Sequence, residues 1–238
     1  MNKENIQVTI LIAALEEERW IRHSVSAAIA SLSAANLRGE VIVCDGGSRD
    51  DTRARAESAG ARVIQTEAGR PTQLNAGLKL AAGEWVMLMH ADALCNPRML
   101  AAAQTALERG FAGGWFQIDI LPERGKGTNA LRLISWGINL RTRLFTTATA
   151  DQALFARREL LLALGGVPNL PLMEGIMLAR ALRERGDVAV LGPWLRISGR
   201  RWETYGPWRT TGKMYSLRLA HKLGISEKTL ARFWRNHA

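Results

Sequence analysis

The chain has 238 residues, of which 47% are hydrophobic and 23% charged, and its formal net charge is +10. This length suits one large domain with a buried core, and the hydrophobic fraction argues against intrinsic disorder. No apolar run reaches the ~20 residues that a membrane-spanning helix needs. Two cysteines, Cys44 and Cys95, are too few for a disulfide framework. We therefore expect a protein of the reducing cytoplasm with an anionic partner: nucleic acid, a phosphate-bearing substrate or a membrane surface.

Short apolar runs alternate with helical periodicities through the first half of the chain. The first run is short and closely followed by acidic residues, so it predicts a strand rather than a signal peptide. The predicted strands cover residues 7–14, 40–44, 62–65 and 84–89, and the predicted helices cover 17–32, 48–60, 72–82 and 96–109. Ser48, Thr72 and Asn96 are the predicted caps of the last three helices. This alternation is typical of a mainly parallel sheet covered on both faces.

After Gly110 the alternation weakens, and the positive charge concentrates near the C-terminus. Predicted strands cover 113–120, 151–156 and 188–191, and predicted helices cover 128–145, 157–164, 174–184, 207–223 and 226–236. From Trp194 to Ala238, seven Arg and three Lys face two Glu, a net charge of +8 that leaves +2 for the preceding residues. We divide the chain into an α/β domain of residues 1–200 and a basic, Trp-containing helical tail of residues 201–238.

Polar residues follow several predicted strands at the point where each strand ends. Glu16, Asp45, His90 and Asp92 all lie in such positions. Ligands of open α/β sheets bind at the carboxyl ends of the strands. The pattern therefore predicts that these residues share one edge of the sheet, where a binding site is expected.

Five stretches of the chain, in order, resemble the family 2 glycosyltransferases of the GT-A fold. They read VTILIAALEEE, EVIVCDGGSRDDT, EAGRPTQLNAGLKLAAGEWVMLMHAD, ADQALFARRELLLALGGVPNLPLMEGIMLARALRERG and SGRRWETYG. The last two resemble a bacterial branch associated with radical-SAM and selenium-related genes. The resemblance implies an α/β GT-A fold, a nucleotide-diphosphate sugar as donor, Mg²⁺ or Mn²⁺ as cofactor and an unidentified acceptor, either a small molecule or a lipid.

The resemblance also implies residues that bind the donor. Asp45 is expected to hold the nucleoside, although Asp45 and Ser48 also suit an ordinary turn and helix cap. Arg70 suits charge-assisted contacts with a pyrophosphate, and Arg200 and Arg201 resemble a basic block that holds the leaving diphosphate. Ala13 and Glu16 replace the usual proline and asparagine of the first loop, and Glu17 and Glu18 equally suit a solvated helical turn. The implied donor-binding set is Ala14, Glu16, Asp45, Arg70, Asn75, Ala91, Arg200, Arg201 and Trp202.

His90-Ala91-Asp92 occupies the place of the family's Asp-x-Asp motif. In that motif a carboxylate binds a divalent cation that bridges the diphosphate, because Mg²⁺ and Mn²⁺ prefer oxygen ligands. The resemblance assigns Asp92 as the metal ligand. For His90 three roles are open: metal ligand, hydrogen-bond donor or buried structural histidine.

A second carboxylate block begins at Leu172 and departs from the family pattern. Related sequences carry Glu-Asp where this chain has Glu174 and Gly175, and the Asp is the expected base that takes the acceptor proton. Glu174 and Asp151 are the remaining candidates for that base. A nucleotide-sugar-binding protein with weak or lost transferase activity is the alternative that Gly175 raises.

The tail, residues 201–238, mixes Arg and Lys with Trp, Leu and Phe. Such helices either pack on the domain or lie on an anionic membrane surface. Binding to nucleic acid is a further alternative, although the chain shows no recognised nucleic-acid motif. The leading hypothesis is an inverting, metal-dependent glycosyltransferase that is cytoplasmic and either free or peripheral on the inner face of the membrane.

Overall fold

A computed structural model describes residues 6–125 and 127–235. The last residue of the predicted helix at 226–236 lies outside this range, as do the other C-terminal residues of the tail. Nearly all the predicted strands and helices are found, and the chain folds around one mixed, mostly parallel sheet.

The first four long strands form the parallel part of this sheet. They are β1 (Val8–Ala14), β2 (Gly39–Asp45), β3 (Arg62–Gln65) and β4 (Trp85–His90), connected by helices α1 (Ile21–Ala34), α2 (Thr52–Ser58) and α3 (Arg70–Leu80). Their order is β3-β2-β1-β4, with every neighbouring pair parallel. Strand–helix–strand connections give this arrangement, as the alternating pattern predicts.

The second half extends the sheet with strands of both directions. Its elements are β5 (Ala93–Leu94), α4 (Pro97–Glu108), β6 (Gly113–Leu121), α5 (Thr128–Phe145), β7 (Leu154–Arg157), α6 (Arg158–Ala163), α7 (Glu174–Arg183), β8 (Val188–Ser198), α8 (Arg200–Tyr205), α9 (Pro207–Lys222) and α10 (Glu227–Arg235). A 3₁₀ turn at Ala150–Gln152 precedes β7. The full order is β3-β2-β1-β4-β7-β6-β8-β5, in which β7 is antiparallel to β4 and to β6.

The core lies on both faces of the sheet, because successive strand residues point to opposite sides. Ile10 and Ile12 of β1 pack with α1 and α4 on one face, whereas Leu11 packs with Leu74 and Leu78 of α3 on the other. All five side chains are at most 2% exposed. This double coverage fixes the strand register, and with it the positions of the strand ends.

Two predicted helix caps are wrong. α2 begins at Thr52 after Asp51, and the Ser48 hydroxyl donates to Asp45 instead. α3 begins at Arg70 after Gly69, so Thr72 lies inside its first turn. Asn96 is confirmed as a cap, because its side chain accepts a hydrogen bond from the Met99 amide.

The tail helices pack on the domain with one side and expose the other. Trp202 of α8 is 4% exposed and belongs to the main core. Leu217 of α9 and Leu230 of α10 pack with Met173, which directly precedes α7. Neither α8 nor the extension of β8 to Ser198 was predicted. Within the described ranges, no helix combines the length and the apolar character needed to cross a membrane.

Candidate active site

The carboxyl ends of three neighbouring strands converge as predicted. In the sheet register, Ala14 of β1 lies opposite Asp45 of β2, and Ala13 lies opposite His90 of β4. The loops that follow these strands therefore start from one edge of the sheet. Each loop nonetheless arranges its polar groups differently.

The loop after β2 is organised by the Asp45 carboxylate, which is fully buried. Asp45 Oδ2 accepts hydrogen bonds from the amides of Gly47 and Ser48 at 3.0 Å, and Oδ1 accepts one from the Ser48 hydroxyl at 2.5 Å. The Arg53 Nε atom lies 3.9 Å from Oδ2. A carboxylate held this way stabilises the turn, and a role in holding a nucleoside stays a prediction.

Other predicted donor-binding residues are also engaged within the chain. The Ala14 carbonyl accepts from the Gln73 side chain at 2.8 Å, and the Glu16 carboxylate accepts from the Arg49 amide at 2.8 Å. The Asn75 side chain donates to the Val167 carbonyl at 2.8 Å and accepts from its amide at 2.7 Å. Asn75 therefore anchors the loop before α7. Gln73, which was not predicted, joins the β1 and β2 ends because it also donates to the Cys44 carbonyl.

A cavity of about 810 Å³ opens beside these strand ends. Its walls come from the loop before α3, the β4 end, the 3₁₀ turn, α7 and the tail helices. Eight predicted site residues line it: Arg70, His90, Asp92, Asp151, Glu174, Arg200, Arg201 and Trp202. The other five, Ala14, Glu16, Asp45, Asn75 and Ala91, are not among its described lining residues.

Arg70 and Glu174 form an ion pair in the cavity wall. Arg70 Nη1 lies 3.1 Å from Glu174 Oε1, and the two side chains are 17% and 12% exposed. Arg70 Nη2 also donates to the Ala150 carbonyl at 3.3 Å, while its Nε has no hydrogen-bond partner within the described residues. Burial lowers the pKa of Arg70, and the Glu174 charge opposes that shift. The pair therefore holds α3, α7 and the 3₁₀ turn together around one desolvated cation.

At the β4 end, Asp92 lies among arginines. Arg200 Nη2 lies 3.3 Å from Asp92 Oδ2, and the same guanidinium binds both carboxylate oxygens of Glu17. Burial raises the pKa of Asp92 to about 6, against the opposing charge of Arg200. Glu17 is thus part of the site rather than a solvated residue of the first helical turn, as one interpretation of the sequence had it.

His90 is partly buried beside Asp92, and its Nε2 atom is enclosed by the protein. Burial and the positive charges of three nearby arginines lower its pKa well below the usual range. Its Nε2 atom has no hydrogen-bond partner in the described part of the chain. A neutral imidazole and a carboxylate in one cavity suit a divalent cation that takes its other ligands from phosphate and water. The described residues hold no cluster of three or more ligating side chains.

Asp151 supplies a second unpaired group. Its Oδ1 atom is buried without a hydrogen-bond partner among the described residues, and the residue lines the cavity. Gly175 explains how Asp151 reaches this place. A Cβ atom on Gly175 would lie 2.6 Å from the Ala150 amide nitrogen and 2.7 Å from its Cα. The turn that carries Asp151 therefore occupies the space that a side chain at position 175 would need.

The tail helices complete the cavity wall, which sequence reasoning missed. Met214, Leu217 and Arg218 of α9, and Lys228 and Trp234 of α10, line the cavity. The concentration of positive charge in this segment was the feature of the sequence that could have indicated this role. The sequence alone left open whether that charge faced a membrane or the domain.

The family comparison matches this geometry. The family model described as Glycosyl transferase family 2 matches residues 9–159, which is more than half of the chain. The chain belongs to this family. The mostly parallel sheet with its helical C-terminal end is the GT-A fold.

Solved structures of two other proteins have the same fold. S. aureus TarS 1–349 in complex with UDP-GlcNAc is 19% identical with a TM-score of 0.61, and the match covers 81% of this chain and 58% of TarS 1–349, so the chain spans less than two thirds of that protein. Glucosyl-3-phosphoglycerate synthase from Mycobacterium tuberculosis, in complex with Mn²⁺, UDP and phosphoglyceric acid, is 21% identical with a TM-score of 0.56. That match covers 94% of this chain and 80% of the synthase. No curated protein matches the chain.

Proposed function

We propose that the protein is a glycosyltransferase that moves a sugar from a nucleotide-diphosphate donor to an acceptor hydroxyl with inversion at the anomeric carbon. The observation that carries the proposal is the cavity itself. It places four arginines and an unpaired carboxylate oxygen around about 810 Å³ of space, a volume in the range of small-ligand sites. Two structures of similar fold contain UDP-GlcNAc or UDP, which supports a nucleotide donor.

Arg200 and Arg201 are the proposed diphosphate ligands. Arg200 is held by Glu17 and Asp92, so its guanidinium is oriented before a ligand arrives. Planar guanidinium groups bind phosphate oxygens with paired hydrogen bonds. Trp202, although buried in the core, lines the same cavity and fixes the start of α8.

Asp92 and His90 are the residues that would hold Mg²⁺ or Mn²⁺. When bound, such an ion neutralises the negative charge that develops on the departing diphosphate. The structure of the M. tuberculosis synthase with Mn²⁺ and UDP supports this cofactor. Asp92 lines the cavity beside Arg200, and its side chain is 21% exposed, so a bound ion could reach it next to the proposed diphosphate ligands.

Asp151 is the proposed base. A base must have a free oxygen within reach of the acceptor proton, and Asp151 Oδ1 is buried in the cavity with no hydrogen-bond partner in the described ranges. Glu174 is less suited, because its Oε1 is already paired with Arg70. In this assignment Glu174 positions Arg70, and Asp151 takes the proton from the attacking hydroxyl.

Calorimetry with UDP tests the donor site. We expect UDP to bind more tightly with Mn²⁺ than with EDTA, and Arg200→Ala to weaken binding in both conditions. Mass spectrometry after incubation with each common nucleotide sugar and Mn²⁺ would then identify the donor by its hydrolysis or transfer. Absence of nucleotide binding in both conditions would refute the proposal.

A nucleotide-sugar-binding protein without transfer activity is the second candidate, and Gly175 favours it. The structure removes the simplest test, because Gly175→Asp would place a side chain against the Ala150 backbone. Asp151→Asn is the better variant. Donor turnover by the native chain that Asp151→Asn abolishes would exclude the binding-only function.

We propose further that the protein works at the surface of an anionic membrane. Helices α5 and α9 carry seven Arg or Lys and no Asp or Glu. They lie side by side, since Gly127 is close to Pro207 at one end and Arg141 interacts with Tyr215 toward the other. Large apolar side chains on their outer sides are 39–75% exposed: Leu133, Trp136, Leu140, Leu144, Phe145, Trp208, Tyr215, Leu219 and Leu223.

This combination suits a membrane interface. Exposed Trp and Leu side chains enter the boundary between headgroups and acyl chains, and Arg and Lys beside them attract anionic lipids. Scattered exposed apolar residues are normal, but here nine lie on or directly after two neighbouring helices.

Vesicle flotation tests this surface. We expect binding to vesicles with anionic lipids and little binding to neutral ones, and a loss of binding in Trp136→Ser/Leu140→Ser. The matched control is Leu162→Ser, an exposed leucine of α6 outside this surface. Equal binding by both variants would refute the membrane surface, as would a stable dimer in light scattering that Trp136→Ser/Leu140→Ser dissociates.

A further inference from the structure

A second, smaller cavity lies between α8, α9 and α10. It has a volume of about 290 Å³, and its described lining residues include three cations and no carboxylate: Arg201, Tyr205, Arg209, Thr210, Lys213, Ser216, Phe233 and Trp234. We infer that this cavity binds a phosphate group. Its size excludes a nucleotide sugar but accommodates a phosphate with a small organic substituent.

Two of the cations are held against one indole ring. The Arg201 guanidinium carbon lies 4.6 Å from the centroid of the Trp234 ring, and Lys213 Nζ lies 4.7 Å from it. Lys213 Nζ also donates to the Trp234 carbonyl at 3.0 Å. Cation–π contacts of this kind fix both charges in position. The Trp234 ring therefore presents two positive groups to the cavity at a distance where they repel each other.

This repulsion acts on Lys213. Burial lowers its pKa, and the charges of Arg201 and Arg209 lower it further. An anion bound among the three side chains would remove that repulsion, since Arg and Lys bind phosphate oxygens through charge-assisted hydrogen bonds. The cavity is thus arranged for a ligand with negative charge.

Thr210 is an independent sign of a ligand. The residue is 5% exposed, lines the cavity, and its Oγ1 atom has no hydrogen-bond partner anywhere in the described part of the chain. Its neighbour Thr211 does have one, because its hydroxyl accepts from Trp202 Nε1 at 3.2 Å. Buried hydroxyl groups are nearly always paired. The phosphate supplies the missing acceptor for Thr210.

The smaller cavity adjoins the large one. Arg201 and Trp234 line both, so a phosphate in the smaller cavity lies next to the proposed donor. Resting on the proposed function, we assign this phosphate to the acceptor, which is either a soluble phosphate ester or a lipid with a phosphate headgroup.

Phosphate binding to the unliganded protein tests the site without relying on transfer. By calorimetry with inorganic phosphate, we expect Arg209→Ala to weaken binding about tenfold or more. Thr210→Val is expected to weaken it severalfold while the melting temperature stays the same or rises, because the substitution removes an unpaired buried hydroxyl. Lys222→Ala, an α9 cation outside the cavity, is the matched control.

Binding to lipid vesicles distinguishes a lipid phosphate headgroup from a soluble phosphate ester. We compare vesicles with phosphatidic acid and vesicles with phosphatidylglycerol at equal charge density. A preference for phosphatidic acid that Arg209→Ala removes identifies a lipid headgroup, whereas an effect of Arg209→Ala on free phosphate alone identifies a soluble ester.

Equal binding of inorganic phosphate by the native chain, Arg209→Ala and Lys222→Ala would overturn the site, even if UDP binds normally. If UDP fails to bind but Arg209→Ala still weakens phosphate binding, the phosphate site stands and the proposed donor function fails.

Discussion

The residues packed around the end of β2 and the residues of the two cavities contribute to the site in opposite ways. Asp45, Asn75 and Gln73 have their polar atoms occupied by hydrogen bonds within the chain. His90 and Asp151, together with Thr210 of the smaller cavity, keep buried atoms without partners in the described ranges. The first group stabilises loops, and the second leaves hydrogen-bonding capacity for a ligand. A residue's place in a family motif therefore does not tell which of these tasks it performs.

The largest expected loss of activity is that of Asp151→Asn, which changes a residue of the second group. We expect kcat to fall by about 10²–10⁴-fold, the contribution typical of a general base. Thermal stability should be unchanged or higher, because the substitution removes a carboxylate with an unpaired buried oxygen. Turnover of the identified donor and thermal unfolding measure the two effects. A fully active Asp151→Asn would return the base role to Glu174.

Glu174→Gln should affect mainly stability rather than activity. It removes the counter-charge of the buried Arg70 guanidinium, and we expect a loss of stability of up to about 3 kcal/mol with a smaller loss of kcat than in Asp151→Asn. Chemical denaturation measures the first and turnover the second. An unaltered unfolding midpoint together with abolished turnover would contradict the positioning role.

Gly175→Ala should cost about 1–3 kcal/mol, as expected for overpacking. The added methyl would meet the Ala150 backbone at 2.6–2.7 Å, and for a chain of this size each kcal/mol lowers the melting temperature by roughly 2–4 °C. The matched control is Gly137→Ala on α5, where an added Cβ meets nothing within 4 Å. There we expect equal or higher stability, because alanine favours a helix. Similar effects of the two variants would show that the Gly175 contact is not tight.

Asn75→Leu should have the smallest effect, about 1–2 kcal/mol. It removes both hydrogen bonds to Val167 and frees the loop before α7. Because we assign Asn75 to the scaffold, UDP affinity should change less than stability does. A large loss of UDP affinity at unchanged stability would instead support the predicted role in donor binding.

Periodicity predicted most of the fold, since the strands and helices of the first half have strong patterns and the sheet order follows from their alternation. The predicted caps at Ser48 and Thr72 were wrong for different reasons. Ser48 precedes the start of α2 by four residues and bonds Asp45, whereas α3 begins at Arg70, two residues before Thr72. Helix starts are local choices that a loop's other contacts can change.

The site was predictable only in part. Arg70, His90, Asp92, Asp151, Glu174 and the Arg200 block do meet in one cavity, which the family resemblance implied. The role of Glu17 depends on a contact with Arg200, 183 positions away in the chain. The closeness of Gly175 to Ala150, and the contribution of α9 and α10 to the wall, likewise depend on tertiary packing that no local pattern encodes.

The contact between Gly175 and Ala150 also has an evolutionary consequence. A carboxylate side chain at position 175 would displace the turn that holds Asp151 unless residue 150 moved or changed as well. Positions 150, 151 and 175 are therefore expected to change together among relatives that share this turn.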